Sequence, residues 1–295
     1  MESGPSEQDI QQLLESLRPP EFPDEAFDER DPMLGQVIDW KKSTVSSQLA
    51  GLLTEPRFHA NTVRLDWLQR LVLSKSNGRR KPQPRDLSVA LNEGLGHAGV
   101  LRLEDPIEDL FCDHISTTRG DFRIFTGLWE GAGPYTQTLL NAFETLPAGR
   151  MKDRVLTSVY ALLRLSDALA ERAGVDRSTV SSGTPNGDFP VPSAEELKRL
   201  SRRVRFSDGD LIRLNIDKNA LTPFLLQAAN APAISDRPAG DTPIEFYPLQ
   251  TIPSGIVVLN PANLSIALRA LLVNVAREGG MGEALQYALL LKQEE

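Results

Sequence analysis

Apolar residues recur at helical spacing along most of the chain, and this pattern predicts a mainly helical protein. The clearest helix is predicted over residues 153–173, where valines and leucines recur every three or four positions and Gly174 supplies a stop. Asp86, Ser193 and Asn260 are predicted helix caps, because their side-chain oxygens can accept a backbone N–H of the first turn. Further helices or helical turns are predicted over residues 6–17, 33–54, 58–74, 86–95, 134–146, 208–214, 221–227 and 283–292.

Two segments break the helical period and alternate as strands do. Residues 109–117 and 121–127 flank the turn sequence Thr118-Arg119-Gly120, which is typical of a β-hairpin. Residues 244–249 and 256–259 flank a second turn, Pro253-Ser254-Gly255. The fold class predicted from these patterns is α+β. It is mainly helical, with two small hairpin-based antiparallel sheets and an extended acidic N-terminal arm.

Composition along the chain predicts two folded domains joined by a linker. The linker is rich in Ser, Thr, Gly and Pro and poor in large apolar side chains. The second domain begins with a capping box, since Ser193 is followed three positions later by Glu196. The predicted division is an acidic arm or tether over 1–32, a helical domain with its hairpin over 33–174, the linker over 175–192, and a smaller α+β domain over 193–295.

Charge is unevenly distributed. The formal net charge of −8 belongs entirely to residues 1–32, so the rest of the chain is neutral overall. The single cysteine excludes a disulfide framework and a cysteine-based zinc site. No apolar run approaches the roughly 20 residues that span a bilayer. We therefore expect a cytoplasmic protein with no membrane partner.

Two basic clusters are candidate contacts for nucleic acid or another anion. Residues 64–85 hold seven bases and one acid, and a second group of bases follows the capping box. Such clusters are typical of surfaces that contact a phosphate backbone. The competing interpretation is that the first cluster pairs with the acidic stretch 86–130, which holds nine acids and three bases. The candidate contact residues are Arg79, Arg80, Lys81, Arg85, Arg202, Arg203 and Arg205.

Catalytic candidates are sparse. Carboxylates around the first hairpin could hold Mg²⁺ for phosphodiester cleavage, and the candidate catalytic residues are Asp113, His114 and Glu130. Cys112 and His114 with His97 would supply three metal ligands, but the sequence offers no fourth, so no metal site is predicted. No phosphate-binding glycine motif stands in the required strand-to-helix context. The sequence predicts no cofactor.

These observations favour a non-catalytic interaction or regulatory module of a cytosolic multi-component assembly. A protein partner is expected, with the amphipathic helix at 6–17 or the C-terminal helices as docking elements. The alternative is a metal-dependent phosphodiesterase or nuclease, or a nucleic-acid-binding subunit, that uses the basic clusters 79–85 and 198–205.

Overall fold

The computed structural model describes residues 32–55, 57–58, 62–97, 111–126, 133–175, 189–227 and 246–278. The helices are α1 Pro32–Ile38, α2 Lys42–Leu53, α3 Thr62–Lys75, α4 Pro84–His97, α5 Gly133–Thr145, α6 Arg150–Ala173, α7 Ala194–Arg203, α8 Asp208–Arg213 and α9 Leu264–Glu278. The strands are β1 Phe111–Thr117, β2 Gly120–Thr126, β3 Arg205–Ser207, β4 Leu249–Ile252 and β5 Gly255–Val258. Two 3₁₀ helices cover Lys218–Phe224 and Pro261–Asn263. The predicted N-terminal arm and the predicted helices at 6–17 and 283–292 lie outside the described residues.

The mainly helical α+β fold class is confirmed. β1 and β2 form an antiparallel hairpin that closes through Thr118 and Arg119, and Cys112 pairs with Phe125 across it. The second sheet is antiparallel in the order β3-β5-β4. Gly174 has a φ of 71° and ends α6 in the left-handed conformation that glycine adopts without strain. None of the described helices is both long and apolar enough to cross a bilayer.

The predicted helix at 33–54 is two helices with a break at residues 39–41. The break leaves carbonyl groups without helical partners, and a loop distant in sequence supplies the donors. The amides of Asn77 and Gly78 both donate to the carbonyl of Ile38 at 3.0 Å. These two hydrogen bonds join residues nearly forty positions apart, so the apolar periodicity of the segment 33–54 could not reveal the break.

Two further predictions of local structure were wrong. Asp86 does not cap α4, which begins two residues earlier; its carboxylate accepts the amide of Gln83 at 2.9 Å from the first turn. β4 begins at Leu249, whereas residues 246–248 of the predicted strand 244–249 are not in a strand. The sheet also has a third strand that was not predicted, because β3 pairs with β5. Gly255 has a φ of 150°, and a Cβ there would lie 1.9 Å from the carbonyl oxygen of Phe206. The close approach of β3 to β5 therefore requires glycine.

Two hydrophobic cores organise the described residues. The first core lies among α1–α4 and also takes in Phe189 from within the predicted linker and Leu197 and Leu200 from beyond it. The second core joins β1, β2, α5 and α6 to the second sheet and α9. Each core thus contains residues from both sides of segment 175–192. The predicted division into two domains stays a prediction.

Strand β3 and helix α8 are held together by an arginine that comes from α6. The guanidinium of Arg172 lies 3.9 Å from the centre of the Phe206 ring and donates to the carbonyl of Arg205 at 2.7 Å. It also pairs with Asp210 at 3.1 Å. Asp210 in turn accepts the amide of Ser207 at 2.8 Å and completes a capping box with it. Burial alone would raise the pKa of Asp210, but Ser207 and Arg172 outweigh burial and lower the pKa to about 2.

Asp210→Asn is expected to lower the free energy of unfolding by about 1 kcal/mol at neutral pH. The folded-state pKa lies below the unfolded value of about 3.9, so the carboxylate stabilises the fold above about pH 4. That contribution is lost as pH falls from about 4 to about 2. Urea unfolding of wild type and variant across this range measures the difference. A gap between the two proteins that stays constant down to pH 2 would contradict the assignment.

Candidate nucleic-acid interface

The candidate catalytic residues do not form a cluster within the described part of the chain. Asp113 and His114 are neighbours on β1, so their side chains leave opposite faces of the strand. Burial raises the pKa of the Asp113 carboxyl, while His114 and Arg269 oppose that rise. Glu130 lies outside the described residues. Among the described residues, no group of three or more His, Cys, Asp or Glu side chains is placed to hold a metal ion.

Part of the second basic cluster is committed to internal ion pairs. Arg203 of α7 pairs with Glu55 at 3.0 Å and donates to the carbonyl of Thr54 at 3.3 Å. Its side chain is 12% exposed, and burial lowers its pKa while Glu55 opposes the shift. Arg199 approaches the same carboxylate at 3.4 Å, and Arg57 pairs with Glu196. These ion pairs hold α7 against the end of α2, so Arg203 and Arg199 stabilise the contact between the two helices.

The loop at 76–83, which we call the basic loop, carries Arg79, Arg80 and Lys81 of the first basic cluster and is fixed by backbone contacts. The amide of Arg80 donates to the carbonyl of Asp39 at 3.0 Å, and the amide of Lys41 donates to the carbonyl of Arg80 at 2.7 Å. The hydroxyl of Ser76 donates to the carbonyl of Trp40 at 2.6 Å. A Cβ on Gly78 would lie 2.0 Å from the carbonyl oxygen of Asp39, so only glycine permits this approach. The loop therefore presents its charges from a fixed backbone.

The basic loop and one arginine of the second basic cluster, Arg205, both contact the amino-terminal half of α2. Arg205 of β3 donates to the hydroxyl of Ser47 at 2.9 Å and to the carbonyl of Ser43 at 3.4 Å. Ser43 lies two residues from Lys41, whose amide is bonded to the basic loop. More than 120 residues separate the loop from Arg205 in the sequence, yet both contact the first turns of one helix. We call this surface the basic edge; its bases are Lys41, Lys42, Arg79, Arg80, Lys81, Arg85 and Arg205.

Most bases of the basic edge have no acidic partner among the described residues. Arg80 pairs with Asp86, which is one contact of the kind that the neutralisation interpretation requires. Arg205 bonds to serine oxygens rather than to a carboxylate. Segments 39–42 and 79–86 together with Arg205 hold these seven bases and two acids, Asp39 and Asp86, so they carry five more positive than negative charges. Arg79, Lys81 and Arg85 are exposed.

Sequence reasoning missed Lys41 and Lys42, because the pattern placed both inside one long helix. Their position at a helix start depends on the break that the basic loop stabilises. Arg79, Arg80 and Lys81 lie on the basic loop, Arg85 follows that loop on α4, and Arg205 contacts the same helix, α2, as the loop does. Arg203 is held in its ion pair, and Arg202 is exposed on α7. Lys41 also occupies the cap position of α2, and no side chain there bonds to the first-turn amides.

Comparison with known proteins gives one finding. The family model described as "Upx-like: Anti-phage protein Upx-like" matches residues 21–293. The match includes every described helix and strand and both sides of the predicted linker. No curated protein and no solved structure gives a significant match to the chain.

Proposed function

The chain belongs to the Upx-like family of anti-phage proteins, and we propose that it acts as a non-catalytic binding component of a cytoplasmic phage-defence assembly. The family supports a role in phage defence. The mechanism proposed for that role is recognition. The chain binds an anionic partner through the basic edge, and this binding either positions the rest of the assembly on the partner or signals to it that the partner is bound.

One observation carries this proposal, namely that the basic loop and Arg205 of the second basic cluster both contact the amino-terminal half of α2. Like charges repel, so placing several bases that have no acidic partner among the described residues around one helix end costs stability. A fold that nevertheless fixes them by backbone hydrogen bonds has the properties of a preformed binding surface. Arg205 contributes from β3, where its backbone is held by Arg172 and by pairing with β5. The surface therefore depends on the fold of the chain on both sides of the predicted linker.

Reversing charge on the basic edge tests the proposal in cells. The variant Arg79→Glu/Lys81→Glu removes two exposed bases that have no acidic partner among the described residues, and it leaves the Arg80–Asp86 pair intact. We expect this variant to lose at least about tenfold in protection, measured as plaque number, because a loss of about 1.4 kcal/mol in binding free energy raises the dissociation constant tenfold. The host is a strain in which the wild-type chain, expressed with its native gene neighbours, protects against the same phage.

The matched control is Arg150→Glu/Arg154→Glu. Both residues are exposed arginines at the start of α6, and the change in net charge is the same. The control is expected to protect as wild type does, with both variants present at wild-type levels by immunoblot. Equal protection by the basic-edge variant and the wild type would refute a role for the basic edge in defence.

A further inference from the structure

We propose that the partner of the basic edge is the sugar–phosphate backbone of double-stranded nucleic acid, bound without reading the base sequence. This inference rests on the proposed function, which requires an anionic partner but does not specify its chemistry. Three features of the basic edge favour a phosphate backbone over an acidic protein surface: its composition, its fixed backbone and the burial of its neighbouring aromatic residue.

The composition of the basic edge is that of a phosphate-binding surface. Its seven bases include three lysines, and lysine is depleted at protein–protein interfaces, where aromatic residues, methionine and arginine are enriched. The large apolar side chains that stand exposed in the described part of the chain lie on other elements; they are Met151, Val191, Ile212 and Val273. A protein-binding surface normally centres on such side chains. The basic edge offers charge with no apolar centre.

Its geometry also suits phosphate groups. The basic loop is pinned at Asp39 and Lys41, so the exposed charges of Arg79 and Lys81 start from a fixed position. Beside them, the first turn of α2 has no side-chain cap, and backbone amides at a helix start are frequent phosphate donors. Arginine and lysine that contact phosphates position a protein on the duplex but carry no sequence information. We therefore expect similar affinity for unrelated sequences.

A duplex suits the basic edge better than a single strand. Proteins that bind single strands stack bases on aromatic side chains that are accessible to solvent. Trp40 lies between Asp39 and Lys41, but its side chain is fully buried in the first core. The duplex also presents a higher density of phosphate charge along its axis. Both considerations predict that duplex DNA binds at least as tightly as a single strand of the same length.

Salt titration of DNA binding tests the inference. The purified full chain is titrated into a fluorescein-labelled duplex of mixed sequence, about two helical turns long, and anisotropy gives the dissociation constant. With four or five phosphates neutralised, log affinity should fall against log salt with a slope of about −4, which is about two-hundredfold between 50 and 200 mM. Arg79→Ala/Lys81→Ala should reduce the magnitude of this slope by about 2, because binding releases about one counterion fewer for each base that has been removed.

The controls separate the possible partners. Arg150→Ala/Arg154→Ala should leave the slope and affinity at wild-type values. A slope that the basic-edge variant leaves unchanged would overturn the inference. Preference for the single strand would overturn it in favour of base stacking. Displacement of the duplex by polyglutamate at equal charge concentration would overturn it in favour of an acidic protein partner.

The same variants separate this inference from the proposed function. If charge reversal at Arg79 and Lys81 abolishes phage protection while the wild-type chain binds no duplex, the inference fails and the proposed function stands. If charge reversal leaves protection intact, the proposed function fails, whatever the chain binds in solution.

Discussion

Replacing Phe206 by alanine is expected to lower the free energy of unfolding by about 3–5 kcal/mol. The side chain is fully buried at the centre of β3, and the guanidinium of Arg172 lies 3.9 Å from the centre of its ring. Truncation removes apolar contacts from the second core and also deprives a partly buried arginine of its aromatic neighbour. The measurement is chemical unfolding by urea, followed by far-ultraviolet circular dichroism.

Two control variants locate the source of this loss. Phe206→Leu keeps most of the apolar volume but removes the ring, so it should cost less than half as much as alanine. Ile212→Ala, on the neighbouring helix α8, removes a side chain that is 76% exposed and should change stability by no more than about 0.5 kcal/mol. A Phe206→Ala cost as small as that of Ile212→Ala would show that β3 does not pack as the structure describes.

Phe206 also illustrates why part of the fold escaped sequence analysis. β3 is three residues long, and a run of that length shows no reliable alternation. Its strand conformation comes from pairing with β5, about fifty residues later, and from the arginine of α6. In contrast, α6 and the capping box at Ser193 were predicted correctly, because their signals are local: a long apolar stripe and a cap three residues from its partner.

The basic edge shows the same limit at the level of the site. Both basic clusters could be found from the sequence, since they are local excesses of arginine and lysine. The contact of the basic loop and Arg205 with one helix could not, because it depends on the bond of Arg205 to Ser47 and on the seating of the loop against Asp39. Nor could sequence distinguish Arg203, which is held by Glu55, from Arg205, which has only serine oxygens as partners among the described residues.

Gly51→Ala is expected to lower the free energy of unfolding by about 2–3 kcal/mol. A Cβ at this position of α2 would lie 2.5 Å from the carbonyl carbon of Leu200 and 2.9 Å from the amide nitrogen of Ser201. Both contacts are to the backbone of α7, so no side chain can turn aside and the two helices must separate. The cost of that separation outweighs the gain of up to about 1 kcal/mol that alanine brings to a helix.

Gly35→Ala in α1 isolates the helix-propensity gain, because nothing lies within 4 Å of a Cβ at that site. That control is expected to stabilise the protein by up to about 1 kcal/mol. If Gly51→Ala stabilised it equally, the close packing of α2 on α7 would be wrong.

Gly51→Ala also bears on the basic edge, since the contact of α2 with α7 and β3 places Arg205 against Ser43 and Ser47. Separating the helices moves one base away from the others. Gly51→Ala should therefore weaken duplex binding through lost stability and altered geometry together, whereas Arg79→Ala/Lys81→Ala should weaken binding with little change in unfolding.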